Sequence, residues 1–211
     1  MSSVRLSGNA SGTGIFTVAS PNSNTDYTLT LPAATTTIVG TDATQTLTNK
    51  TIQGGAITSG TAVASTSGTS IDFTGIPSWV KRVTVLFNGV SLSGTSNFLI
   101  QIGSGSVTTS GYSASSLLGN NANGTTVLTA TNGFPIRNAQ ASNGINSAAM
   151  YINLLGSNIY VNNHSYGDPV NVVAGAGGGT VTLSGALDRV RITTVNGTDT
   201  FDAGSINILY E

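Results

Sequence analysis

The stretch Lys81-Arg-Val-Thr-Val-Leu-Phe-Asn-Gly-Val-Ser-Leu-Ser-Gly-Thr-Ser-Asn-Phe-Leu-Ile-Gln-Ile102 decides the fold. In its first part Val83, Val85 and Phe87 occupy every second position, between Arg82, Thr84 and Leu86. In its last part Phe98, Ile100 and Ile102 repeat the pattern. Side chains of an extended chain point to alternate faces, so a period of two puts each trio on one buried face. The two segments predict two strands of a β protein.

Outward from there the alternation recurs. It predicts strands at 69–73, 149–155, 158–161, 169–173, 180–183, 187–195 and 205–210, with a weaker one at 125–129. In the last of these Ile206, Ile208 and Tyr210 share a face. Gly156-Ser157 is a hairpin signal between two strands, and Asn196-Gly197 is the pair that a type I′ turn demands. Helix signals are nearly absent. The chain holds 32 Thr, 27 Gly, 26 Ser and 20 Asn, about half of its 211 residues, and these are poor helix formers. Strands at regular spacing with turn signals between them predict an all-β, antiparallel, jelly-roll-like β-sandwich over residues 69–211.

Residues 1–68 read differently. Extended pieces are expected at 14–19, 26–31, 35–39 and 44–52, and 53–68 is nearly all Gly, Ser, Thr and Ala. Ordering a residue costs about 1–2 kcal/mol in backbone entropy, and so few large apolar side chains cannot offset that alone. The segment is therefore expected to be an extended N-terminal arm that orders by pairing with other copies or a larger body.

Composition excludes several functions. Charged residues make up 7% of the chain, against about 25% in ordinary globular proteins. A net charge of −1 supplies no basic patch for phosphates, which argues against a nucleic-acid partner. With no Cys and one His, thiolate metal sites, disulfides and a Cys nucleophile are excluded, and metal and cofactor sites are not expected. No apolar run is long enough to span a membrane, and no signal-peptide core follows Met1–Arg5, so synthesis in a cytoplasm is expected. Near-zero net charge also favours self-association.

Few residues suggest chemistry, and each has a plainer explanation. His164 and Asp168 lie in the polar run Asn162-Asn-His-Ser-Tyr-Gly-Asp168 and would be a candidate base and its partner; the run is read instead as a polar loop between strands. Gly175-Ala-Gly-Gly-Gly179 lacks a dinucleotide fingerprint and is read as a mobile loop. Asp188, Arg189, Arg191, Asp199 and Asp202 are expected on a solvent face, with a subunit or receptor contact as the alternative. Trp79 is expected in the core or at an interface, with sugar stacking as the alternative. Glu211 is the only Glu, and no carboxylate pair suggests a glycosidase. One His cannot supply a credible Ser-His-Asp triad. The Asn-x-Ser/Thr triplets at Asn9, Asn49, Asn123, Asn163 and Asn196 are those expected by chance in such a chain. No catalytic, cofactor or metal residue is assigned, and the chain is not expected to be an enzyme.

Residues 71–103, which contain Ile76-Pro-Ser-Trp-Val-Lys-Arg82, resemble the C-terminal domain of tail fibres and other surface proteins of tailed bacteriophages. The ending, Gly185 to Glu211, is similar to the same module, and residues 41–52, with Thr46-Leu-Thr-Asn-Lys-Thr-Ile52, resemble a segment repeated in fibre shafts. Residues 104–184 carry no such resemblance. The resemblance implies a homotrimeric, non-enzymatic protein of the virion surface. The short leader departs from the fibre pattern and favours a capsid-decorating, or cement, protein whose arm meets the major capsid protein. The alternative is a short tail-fibre or tailspike-type protein that meets tail proteins and grips a host-surface glycan. Loops at 119–124, 162–168 and 174–179 are the candidates for that grip.

Overall fold

A computed structural model of the protein describes residues 11–15, 17, 22–26, 28, 57–121, 124–137 and 141–211. The chain divides into two compact units, 1–50 and 51–211. The strands expected at 14–19, 26–31, 35–39 and 44–52 lie wholly, or by half or more, outside the described residues. The second unit is an all-β, antiparallel sandwich, and no helix occurs among the described residues.

Its strands, in chain order, are β1 (Thr58–Ser59), β2 (Val63–Ala64), β3 (Ile71–Thr74), β4 (Arg82–Leu92), β5 (Phe98–Ser104), β6 (Ser106–Val107) and β7 (Ser113–Asn120). Then follow β8 (Thr125–Ala130), β9 (Phe134–Ile136), β10 (Asn146–Gly156), β11 (Ile159–Asp168), β12 (Val173–Thr182), β13 (Arg189–Thr194) and β14 (Phe201–Tyr210). The larger sheet runs β1-β14-β4-β10-β11-β12-β7-β8, with β2 on β14; the smaller runs β3-β13-β5-β6, with β9 on β5. The chain passes repeatedly from one sheet to the other.

The expected alternation builds the core. Val83, Val85 and Phe87 of β4 face Phe98, Ile100 and Ile102 of β5 across the sandwich, joined by Met150, Ile152, Val190, Ile192, Ile206 and Ile208. Phe98 is the hub: Phe87 meets it edge-on at 5.4 Å and Phe201 stacks on it at 6.4 Å. Strand β5 is buried on both faces. Its outer Gln101 donates from Nε2 to the Asn132 carbonyl at 2.8 Å. Beside it, Gly133 approaches Leu99 so closely that a Cβ there would lie 2.6 Å from Leu99 Cγ.

The stretches 71–103 and 185–211 are far apart in sequence and adjacent in space. Strand β13 lies between β3 and β5, and β14 pairs with β4 over most of its length. Two register shifts interrupt the β14–β4 ladder near Gly204. That residue has φ +92, and a Cβ there would lie 2.4 Å from the Gly89 carbonyl oxygen, so both conformation and space call for glycine. The remaining stretch, 104–184, builds β7, β8 and β10–β12, the far half of the larger sheet, and β6 and β9, which pair with β5 in the smaller one.

Several expectations are corrected. Composition drew the arm boundary at residue 68, but β1 and β2 pair with β14, and the Ser65 amide and hydroxyl bond to Gly204 and Ala203 carbonyls. Residues 57–68 therefore belong to the sandwich as an interrupted edge strand. Residues 169–172 form a turn and not a strand. Asn196-Gly197 joins strands of different sheets, so no hairpin forms there. Only Gly197 has positive φ, and Asn196 Oδ1 accepts from the Thr198 and Asp199 amides. The hairpin at 156–158 is real, with φ of 49 at Ser157 and 58 at Asn158, the signs a type I′ turn needs. The alternation predicts no strand at β6, β7 or β9.

Candidate functional site

The polar run 162–168 is the second half of β11 and not a loop. The mobile loop expected at 175–179 is the middle of β12, paired with β11 on one side and β7 on the other. Two of the three loops proposed for glycan contact are thus interior strands. Residues 119–121 and 124 lie at the β7–β8 turn, where the Gly124 amide bonds Asn120 Oδ1 at 3.0 Å.

Alternation on β11 turns Tyr160, Asn162, His164, Tyr166 and Asp168 inward. These long polar side chains lie over β12, and the glycines of β12 make room. A Cβ on Gly177 would sit 2.4 Å from the His164 ring, and one on Gly175 would sit 2.5 Å from the Tyr166 ring. The glycine run is a packing requirement of β11. It gives no phosphate cradle.

His164 is 3% exposed, and burial lowers its pKa to about 4. Its Nε2 lies 3.1 Å from Ser116 Oγ, which accepts the Arg137 amide at 3.1 Å. The Tyr166 hydroxyl donates to the Leu117 carbonyl at 3.0 Å, and burial pushes its pKa up to about 12. Asp168 does not meet His164: four strand residues separate them by about 14 Å. Its Oδ1 accepts the amides of Ile145, Val170 and Asn171, and its Oδ2 accepts Asn171 Nδ2 at 2.7 Å. The carboxylate therefore staples the β11–β12 turn to the loop before β10. The candidate base and its partner are two separate structural devices. The side-chain amide of Asn162, His164 Nδ1 and Arg137 Nε are buried with no hydrogen-bond partner among the described residues, an arrangement that costs stability.

The charged group near the last strands is also local. Arg191 forks onto Asp72 with bonds of 2.7 and 2.9 Å, and Arg189 pairs with Asp188 at 2.7 Å on the same outer face of the smaller sheet. The Arg189 hydrogen bond holds the Asp188 carboxyl below its usual range. Asp199 accepts the Ser96 amide and Asn196 Nδ2, and Asp202 accepts the Ser91 hydroxyl. Arg82 pairs with Glu211.

Trp79 is not a core residue. It is 56% exposed, and its ring lies 6.0 Å from that of Tyr210. Beside Arg191, a polar groove of about 360 Å³ is lined by Thr69, Ser70, Gln101, Asn132 and Thr193. Among the described residues no three His, Cys, Asp or Glu side chains gather as a metal set, and no helix is long and apolar enough to cross a membrane.

Fold and geometry together define an all-β sandwich whose polar interior is occupied by structural bonds. A scan against models of known protein families finds no match to this chain, and a search of curated proteins finds none.

Proposed function

We propose that this chain is a non-enzymatic structural protein of a tailed-phage virion. In this reading it is a homotrimeric capsid-decorating protein whose N-terminal arm pairs with the major capsid protein while the sandwich faces outward. One observation carries the reading. The stretches that resemble phage fibre domains, 71–103 and 185–211, form neighbouring strands in both sheets, so the resemblance covers one contiguous half of the sandwich. The low charge and the thin arm fit a part made for assembly.

The test is co-sedimentation with purified shells of the encoding phage. The full chain is expected to bind. A chain starting at Thr51 is expected to fold and to lose binding, because the boundary between the two units lies there. Undiminished coating by the truncated chain would refute the clamp.

The receptor-binding alternative retains one feature, the polar groove beside Arg191. Its Thr, Ser, Gln and Asn lining supplies the hydroxyl and amide partners that a glycan uses. Binding on a glycan array that Gln101→Ala abolishes would favour it over decoration.

A further inference from the structure

The outward side chains of β7, β8, β10, β11 and β12 form a surface with no charge. They include Ser113, Ser115 and Leu117 on β7, Val127 on β8, and Ala149, Tyr151 and Leu155 on β10. Asn163 and Ser165 continue the surface on β11, and Ala174, Ala176 and Thr180 on β12. The only charged residues in 104–184 are Arg137 and Asp168. Asp168 is buried on the opposite face of β11, and Arg137 lies outside these strands, after β9. The other charges of the described sandwich lie on the smaller sheet, in the crossover loops and at the β4–β14 end.

Register lines up the outward side chains in rows. Tyr151, Asn163, Gly178, Ser115 and Thr129 lie in one cross-strand row, and Ala149, Ser165, Ala176, Leu117 and Val127 in the next. Small side chains fill its centre. Four larger apolar ones stand out of it: Leu117 is 40% exposed, Tyr151 39%, Val127 63% and Leu155 72%.

We infer that this face is where copies of the chain meet. The inference rests on the multi-copy reading above and adds the surface. Three arguments select a second copy as the occupant. Five strands about 4.8 Å apart and some eight residues long cover roughly 600 Å² in projection, close to the ~800 Å² that each partner buries in a standard interface. Uncharged Ser, Thr and Asn both donate and accept, so the face can pair with either kind of polar group on a second copy, and no charge on it opposes one. At a net charge of −1 the whole molecules do not repel one another.

Sedimentation equilibrium of the full chain tests this. The wild type is expected at a multiple of 21.2 kDa. Ala176→Arg, at the centre of the face, and the near-isosteric Asn163→Asp are expected to weaken association at least about tenfold and to keep the wild-type melting cooperativity. Thr74→Arg, on the outer face of the smaller sheet, is expected to leave the mass unchanged. A wild-type multimer that both face variants leave intact would overturn the surface and spare the multi-copy reading. A wild-type chain that stays at 21.2 kDa would overturn both. Binding of a different protein to the face of that monomer would identify another occupant and equally refute this one.

Discussion

At the scale of single residues, His164 and the glycines of β12 define each other. The imidazole is buried neutral, with its pKa lowered by burial to about 4, while an unfolded chain titrates near 6.5. Between those values the unfolded state binds more protons. Stability is therefore expected to fall as pH drops from about 6.5 to about 4, and this contribution to level off below that. The loss is of the order of 3 kcal/mol. Urea midpoints measured across that range check it, and His164→Asn, which cannot titrate, is expected to flatten the slope. Gly177 has the complementary role. A Cβ there would lie 2.3 Å from the Ser115 carbonyl oxygen as well as against the imidazole, so Gly177→Ala is expected to cost about 1–3 kcal/mol. At Gly167 the nearest atom to an added Cβ is 4.0 Å away, and Gly167→Ala is expected to be nearly neutral. Thermal melts of the two variants decide whether side-chain room over β12, and not backbone freedom, explains the glycine run.

At the scale of elements, legibility in the sequence follows side-chain size. Strands β4, β5, β13 and β14 were readable because Val, Ile and Phe alternate along them and their inner faces pack directly. The middle of β12, 175–179, was not, because glycine carries no side chain to display a period; its regularity comes from pairing on both edges. The second half of β11 was not, because its inward residues are Asn, His, Tyr and Asp, types that ordinarily mark loops. The same misreading produced the candidate site. His164 and Asp168 looked like a polar loop cluster, and the strand instead carries them about 14 Å apart on one buried face. The role of Asp168 as a staple was hinted at by Asp168-Pro169-Val170-Asn171, a turn sequence, but the Ile145 amide it also holds is distant in sequence. Asn196-Gly197 failed for another reason: a turn signal tells where the chain bends, and not which sheet the next strand joins. The edge pieces β1 and β2 were placed in the arm because they are short and polar. Their contribution is measurable. A chain starting at Thr69 is expected to melt lower than one starting at Thr51 and to aggregate, because it exposes the ladder groups of β14.

At the scale of the whole molecule, the sandwich has two halves of different character. One half, built from β3–β5, β13 and β14, holds the Phe87–Phe98–Phe201 cluster and most of the sandwich's charged residues. The other, built from β7, β8 and β10–β12, mixes apolar core residues such as Met150 and Ile152 with the buried polar row of β11, and has an uncharged exterior. A protein that acts alone gains nothing from a wide face without charge, whereas a protein displayed in many copies can bury it. The interior costs of Asn162 and His164 would then be offset partly by assembly, and the multimer is expected to melt higher as protein concentration rises. Scanning calorimetry over a hundredfold concentration range checks this. A melting temperature independent of concentration would contradict it.

Gold-conjugated antibody against the sandwich, applied to intact particles purified from cells that make the chain, tests the central claim most directly. The account predicts label distributed over the whole capsid shell, in many copies per particle. Label confined to the tail tip, or absent from particles altogether, would contradict it.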